Sequence, residues 1–186
     1  MTIFEYLAIA FSLVFSFTAM RLLAGLPYAA RTNRRYWIHL YFVCGHLLTT
    51  LGVFWNFLSY RDVTWTFGRF VLTLAIPALL FFNACTLVPE NASAVESWRN
   101  HYYAVRRRYF IGVGAWALAI IGSATVVLEM PPSHPARLVQ IAWFLVGFAG
   151  AVFSSERVHA AIVVSTFVIG LGFIFTIAML PGSLAP

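Results

Sequence analysis

The chain of 186 residues is 61% hydrophobic and only 10% charged, with a mean hydropathy of +0.84. A soluble core of that size has no room for so much apolar material, which excludes a water-soluble globular protein and makes lipid the solvent. Lysine is absent, and twelve arginines against six acids give a net charge of +6. Because the arginines cluster beside apolar stretches they read as a topology signal and not as a nucleic-acid footprint, and the missing lysine excludes a retinal-type Schiff base.

A spanning helix needs about 20 mainly apolar residues, and six stretches supply them: 3–26, 36–59, 65–88, 109–130, 136–154 and 157–180. They predict an all-α fold, one integral membrane bundle of six transmembrane helices forming a single domain over residues 1–186. Pro27, Pro89, Pro131, Pro132, Pro135 and Pro181 stand at or just beyond the predicted helix ends, where a missing amide proton costs least. The first stretch has no basic segment before it and no small-residue cleavage site after it, so it reads as a retained helix and not as a signal peptide. Ser12 and Ser16 place hydroxyls near its middle, and Glu5 lies at its start.

The second stretch carries His46 near mid-span, where an ionisable side chain is costly and is therefore either partnered or used. His39, His46, Thr49 or Thr50, Asn56 and Tyr60 recur at spacings of three, four or seven, which puts them on one helical face turned into the bundle. Tyr36 and Trp37 at one end, with Trp55 and Tyr60 at the other, mark the headgroup levels. The third stretch places Arg69, Thr73 and Asn83 on one face, with Pro77 near mid-span. Arg69 lies about one turn inside the outer boundary, within reach of Glu129, Glu5 or Asp62, and with Arg61 these groups make a polar outer vestibule. Cys44 and Cys85 fall inside apolar spans with no CxxC and read as small buried residues.

The longest connection, 89–108, reads as a cytoplasmic amphipathic segment whose Trp98, Arg99, Arg106, Arg107 and Arg108 lie in the interface against anionic lipid headgroups. Arg31, Arg34, Arg35, Arg99, Arg106, Arg107, Arg108 and Arg157 gather on one side of the membrane, against Arg61, Arg69 and Arg137 on the other. The arginine-rich side is expected in the cytoplasm, with both termini in the periplasm of a bacterial inner membrane. Three helices on each side of that connection, with SYRDV at 59–63 and SSERV at 154–158 each before a span, suggest a 3+3 inverted repeat. The later spans are rich in small residues, among them Gly112, Gly114, Gly147, Gly150, Gly170 and Gly172, which suit close helix packing or contacts in a homo-oligomer.

For function, the leading expectation is a channel or carrier for an ion, proton or small polar solute. His46, His39, Ser12, Ser16, Thr73, Asn83 and Asn56 would line its path, and Arg69, Glu129, Glu5, Arg61 and Asp62 would form its mouth. One alternative is a membrane electron-transfer protein binding haem or quinone through His39, His46 or His159; for a haem held by two imidazoles, only His39 and His159 agree in depth. Another is an accessory or scaffolding subunit whose polar faces merely hold helices together. No metal site and no cofactor beyond that haem alternative is expected, and no nucleic-acid partner. Enzymatic chemistry has no specific support: there is no HExxH, no GxSxG, no phosphate-cradling glycine loop and no acidic pair inside a span.

Overall fold

The computed structural model describes residues 2–174. Six α-helices run in order: α1 (Ile3–Ala29), α2 (Trp37–Asn56), α3 (Phe67–Leu87), α4 (Trp98–Val126), α5 (Ala136–Val152) and α6 (Glu156–Phe173). Short 3-10 turns follow α2 (Phe57–Tyr60) and precede α4 (Ala92–Ala94), and the described residues contain no strand. Five of the helices are long and apolar enough to cross a membrane. The sixth, α5, has 17 residues, the lower end of the length a span requires, about 17 to 25. The chain is thus a helical membrane bundle. The predicted continuation of the last helix to residue 180 lies outside the described residues.

Local chemistry sets the helix starts. Thr2 accepts the Glu5 amide at 3.2 Å while the Glu5 carboxylate accepts the Thr2 amide at 2.7 Å, a reciprocal cap on α1. Thr66 caps α3 and Ser97 caps α4 in the same sense, each through its side-chain oxygen. The Ser97 cap corrects the expected interfacial segment at 89–108. Trp98 to Arg108 form the first three turns of a continuous α4 of 29 residues, roughly 43 Å at 1.5 Å per residue. Trp98 is buried and its indole N–H donates to the Tyr28 carbonyl at 2.8 Å, so the aromatic ring docks in protein and not in lipid. α1 also differs from expectation, since it runs two residues past Pro27 to Ala29.

α4 is the central helix, with α3 and α5 on either side; α1 lies against α2 and α3, and α6 touches α5 and, more sparingly, α2. The α4–α5 crossing is close because glycine faces glycine: a Cβ on Gly147 would stand 2.6 Å from the Gly114 nitrogen. Phe110 fills the space beneath Gly150, and Val88 closes on Gly25 where α3 meets α1. Apolar side chains such as Leu48, Leu138, Phe148 and Val164 are more than half exposed and form the lipid-facing girdle.

At the arginine-rich end, cations close the carboxyl ends of helices. Arg106 donates to the Gly150, Ala151 and Phe153 carbonyls at 3.2, 3.3 and 2.8 Å, capping α5. Arg21, a charge inside the first span, donates to the Val88 carbonyl at 3.0 Å at the end of α3. A cation placed there meets the negative end of the helix dipole and the carbonyls that have no intrahelical partner. Arg34 ties the α1–α2 turn to the segment before α4 through the Val95 carbonyl at 3.0 Å.

Candidate functional site

All six helices contribute to one cavity of about 520 Å³ in the middle of the bundle, within the size range of ligand pockets, roughly 300–1,000 Å³. Its walls are mainly apolar and aromatic. Phe11 and Phe15 come from α1, and Trp116 of α4 meets Trp143 of α5 with ring centroids 5.7 Å apart and planes at 84°. On α4 the lining positions Tyr109, Val113, Trp116, Ala117 and Ile120 follow the spacing of one helical face.

His46 lies at mid-depth in this wall, 6% exposed, with Nε2 3.0 Å from the Leu80 carbonyl of α3. A carbonyl only accepts, so Nε2 carries the proton and the lone pair of the neutral ring sits on Nδ1. The Tyr109 ring stands beside it, 6.0 Å between centroids, and the Tyr109 hydroxyl has no hydrogen-bond partner among the described residues. Asn56, Asn83 and Trp116 also line the cavity and each leaves buried polar atoms unpaired: Asn56 Oδ1, both amide atoms of Asn83, and Trp116 Nε1. An unpaired buried polar group costs about 1–3 kcal/mol, so three such side chains around one space are costly unless something shares their hydrogen bonds.

The threonines of α2 do not contribute in this way. Thr49 and Thr50 donate to the Gly45 and His46 carbonyls of their own helix at 2.9 and 2.8 Å. Thr73 lines the cavity but donates to the Arg69 carbonyl at 2.9 Å, and its hydroxyl lies 3.3 Å from Ser123 Oγ, which is itself 2.9 Å from the Tyr60 hydroxyl. On the polar face of α2, only Thr49, Thr50 and the Asn56 amide N–H are satisfied along the helix's own backbone.

Several expected site residues lie elsewhere. Ser16 is exposed on the outer face of α1, and Ser12 donates to the Ile9 carbonyl at 2.8 Å; neither lines the cavity, because α1 turns Phe11 and Phe15 inward instead. His39 is fully buried outside the cavity, stacked on Trp98 at 4.7 Å, with no partner for either ring nitrogen. His159 is engaged on both sides: Nε2 donates to the Phe153 carbonyl at 3.0 Å, and the Tyr102 hydroxyl donates to Nδ1 at 2.7 Å. Tyr102 stands between these two histidines, so the His39 and His159 pair expected to hold a haem does not face a common space. Among the described residues, no three His, Cys, Asp or Glu side chains gather as a metal cluster.

The outer charges form an ion pair and not a mouth to the cavity. Arg69 meets Glu129 at 2.9 Å and the Thr64 carbonyl at 3.1 Å. Glu129 adopts a left-handed backbone conformation, φ 52°, immediately after α4. Glu5 serves the α1 cap, Arg61 and Asp62 are exposed in the turn after α2, and none of these five lines the cavity. At the arginine-rich end Arg99 pairs with Glu156 at 3.0 Å, while Arg107 and Arg108 are exposed, Arg108 lying 4.9 Å over the Phe82 ring. Cys44, expected to be buried, is exposed on α2.

The cavity residues that sequence reading overlooked are Tyr109, Trp116, Trp143 and Gln140. Each sits in a helix whose aromatic and small residues read equally well as packing, and only the three- and four-residue spacing on α4 carried a trace of the shared face. Arg21 was the plainer omission, a lone charge inside an apolar span. No protein-family model, no curated protein and no solved structure matches this chain.

Proposed function

We propose that this protein binds a membrane-dissolved molecule with an apolar body and a polar, oxygen-bearing end, of the isoprenoid quinone class, in the cavity between α2 and α4. The observation that supports it is an apolar, aromatic-walled space that His46 and Tyr109 line together, with a few unpaired polar groups among its other lining residues. A quinone carbonyl accepts from the Tyr109 hydroxyl, and the His46 Nδ1 lone pair accepts the proton of a quinol hydroxyl. Trp116 and Trp143, in edge-to-face contact with each other, line the same cavity and report on its filling.

The test is tryptophan quenching by a short-chain quinone titrated into protein in lipid nanodiscs. Saturable quenching is expected, weakened about tenfold in Tyr109→Phe, the loss of one hydrogen bond of ~1.4 kcal/mol. Linear, unsaturable quenching, equal in wild type and Trp116→Phe, overturns the assignment.

A second reading is a path for a proton, an ion or a small polar solute. Its support is His46 itself, an imidazole at mid-membrane. Under that reading His46→Ala changes flux into liposomes or its pH dependence while folded protein remains abundant. In either case the setting we propose is a bacterial inner membrane with both termini outward, and the exposed Arg31, Arg35, Arg107 and Arg108 facing anionic headgroups of the inner leaflet.

A further inference from the structure

The geometry points to a lateral entrance between α2 and α6, through which the ligand passes directly from the bilayer and not from water. This rests on the reading of the cavity as a ligand site and adds the phase from which the ligand comes. The lining residues that are exposed are Cys44 and Leu48 of α2 with Phe167 and Leu171 of α6 and Ile174 just after it; every other lining side chain is buried or half-buried. Those five come from two helices that touch only sparingly, and they sit at the middle of α2 and in, or one residue beyond, the second half of α6.

The seam is pinned at two levels and open between them. Toward the arginine-rich end the Tyr41 hydroxyl lies 3.0 Å from the Thr166 hydroxyl. Toward the far end, a Cβ on Gly52 would stand 3.7 Å from the Phe173 ring. Between these levels Gly45 and Gly170 line the opening. A Cβ on Gly170 would meet nothing within 4 Å, and one on Gly45 would reach only the edge of Tyr41 at 3.9 Å. With no side chain on either wall, the seam is left unfilled at this level.

α6 is suited to widening that gap. Its buried residues, His159, Ile162, Val163 and Thr166, all lie before Phe167, so the helix is anchored toward the arginine-rich end. From Phe167 to Ile174 no residue is buried. A helix segment with little buried contact opens at low free-energy cost.

The experiment uses decylubiquinone as the probe, with stopped-flow tryptophan quenching of the full chain in lipid nanodiscs. Gly170→Phe fills the opening from α6, Gly45→Leu fills it from α2, and Val168→Phe adds the same bulk on the exposed outer face of α6. Association is expected to slow about tenfold in each of the first two and to stay unchanged in Val168→Phe, because a plugged path lowers the on-rate without touching the polar contacts. An unchanged on-rate in both glycine variants, with quenching still saturable, overturns the entrance while leaving the binding reading intact. Unsaturable quenching in the wild type overturns both. Using both walls guards against one variant failing to fold.

Discussion

A histidine sealed into a bilayer has two ring nitrogens to satisfy, and neither His46 nor His39 satisfies both. His46 donates to the Leu80 carbonyl and keeps one lone pair beside the cavity, whereas His39 has no hydrogen bond and is held by stacking on Trp98. Asn83 resembles His39: its Oδ1 is pressed against the place where a Cβ of Gly112 would be, and its amide has no partner. Gly112→Ala therefore overpacks the α3–α4 contact, and its expected cost is about 1–3 kcal/mol, read as a lower thermal midpoint in detergent. Asn83→Ala in the same chain relieves the clash and recovers most of the loss; equal midpoints for single and double variants would show that the two side chains do not meet. From the sequence His46 was legible as a mid-span polar group, but its partner was not, because a backbone carbonyl on another helix has no sequence signature.

At the scale of the helix, α5 is secured by two devices: the close Gly147 crossing on α4 and the Arg106 guanidinium on three of its terminal carbonyls. Charge-assisted hydrogen bonds contribute about 1.5–3 kcal/mol where they are sheltered. Arg106→Gln is accordingly expected to lower stability by about 1–2 kcal/mol. Arg107→Gln, one residue on and exposed, is expected to change it by less than about 0.5 kcal/mol. Similar losses for both would identify the whole RRR run as a lipid anchor, as its composition suggests. The reason the sequence misled here is that hydropathy locates the edge of the lipid, not the end of a helix. α4 carries its charged turns beyond that edge without a break, since nothing between Trp98 and Tyr109 interrupts backbone hydrogen bonding.

For the whole molecule, orientation is the property that the arginine distribution predicts. With cysteine-free protein as background, Ser93→Cys at the arginine-rich end is expected to react with a membrane-impermeant maleimide only in inside-out vesicles, and Asp62→Cys only in intact spheroplasts; the reverse pattern would invert the topology. That the chain is a bundle of membrane helices followed from the sequence by itself, because solvent choice depends on summed apolar content and spans depend on runs of it. The faces of those helices were a different matter. In lipid, a helix presents apolar residues both inward and outward, so the contrast that betrays a buried face in water is missing, and Ser16, Phe11 and Tyr109 could be sorted into lipid-facing and cavity-facing only once the helices were set against one another. The tertiary structure alone decided that the space among them is apolar, that it lies beside His46, and that its exposed rim belongs to α2 and α6, since a cavity is a property of how helices cross and not of any one of them.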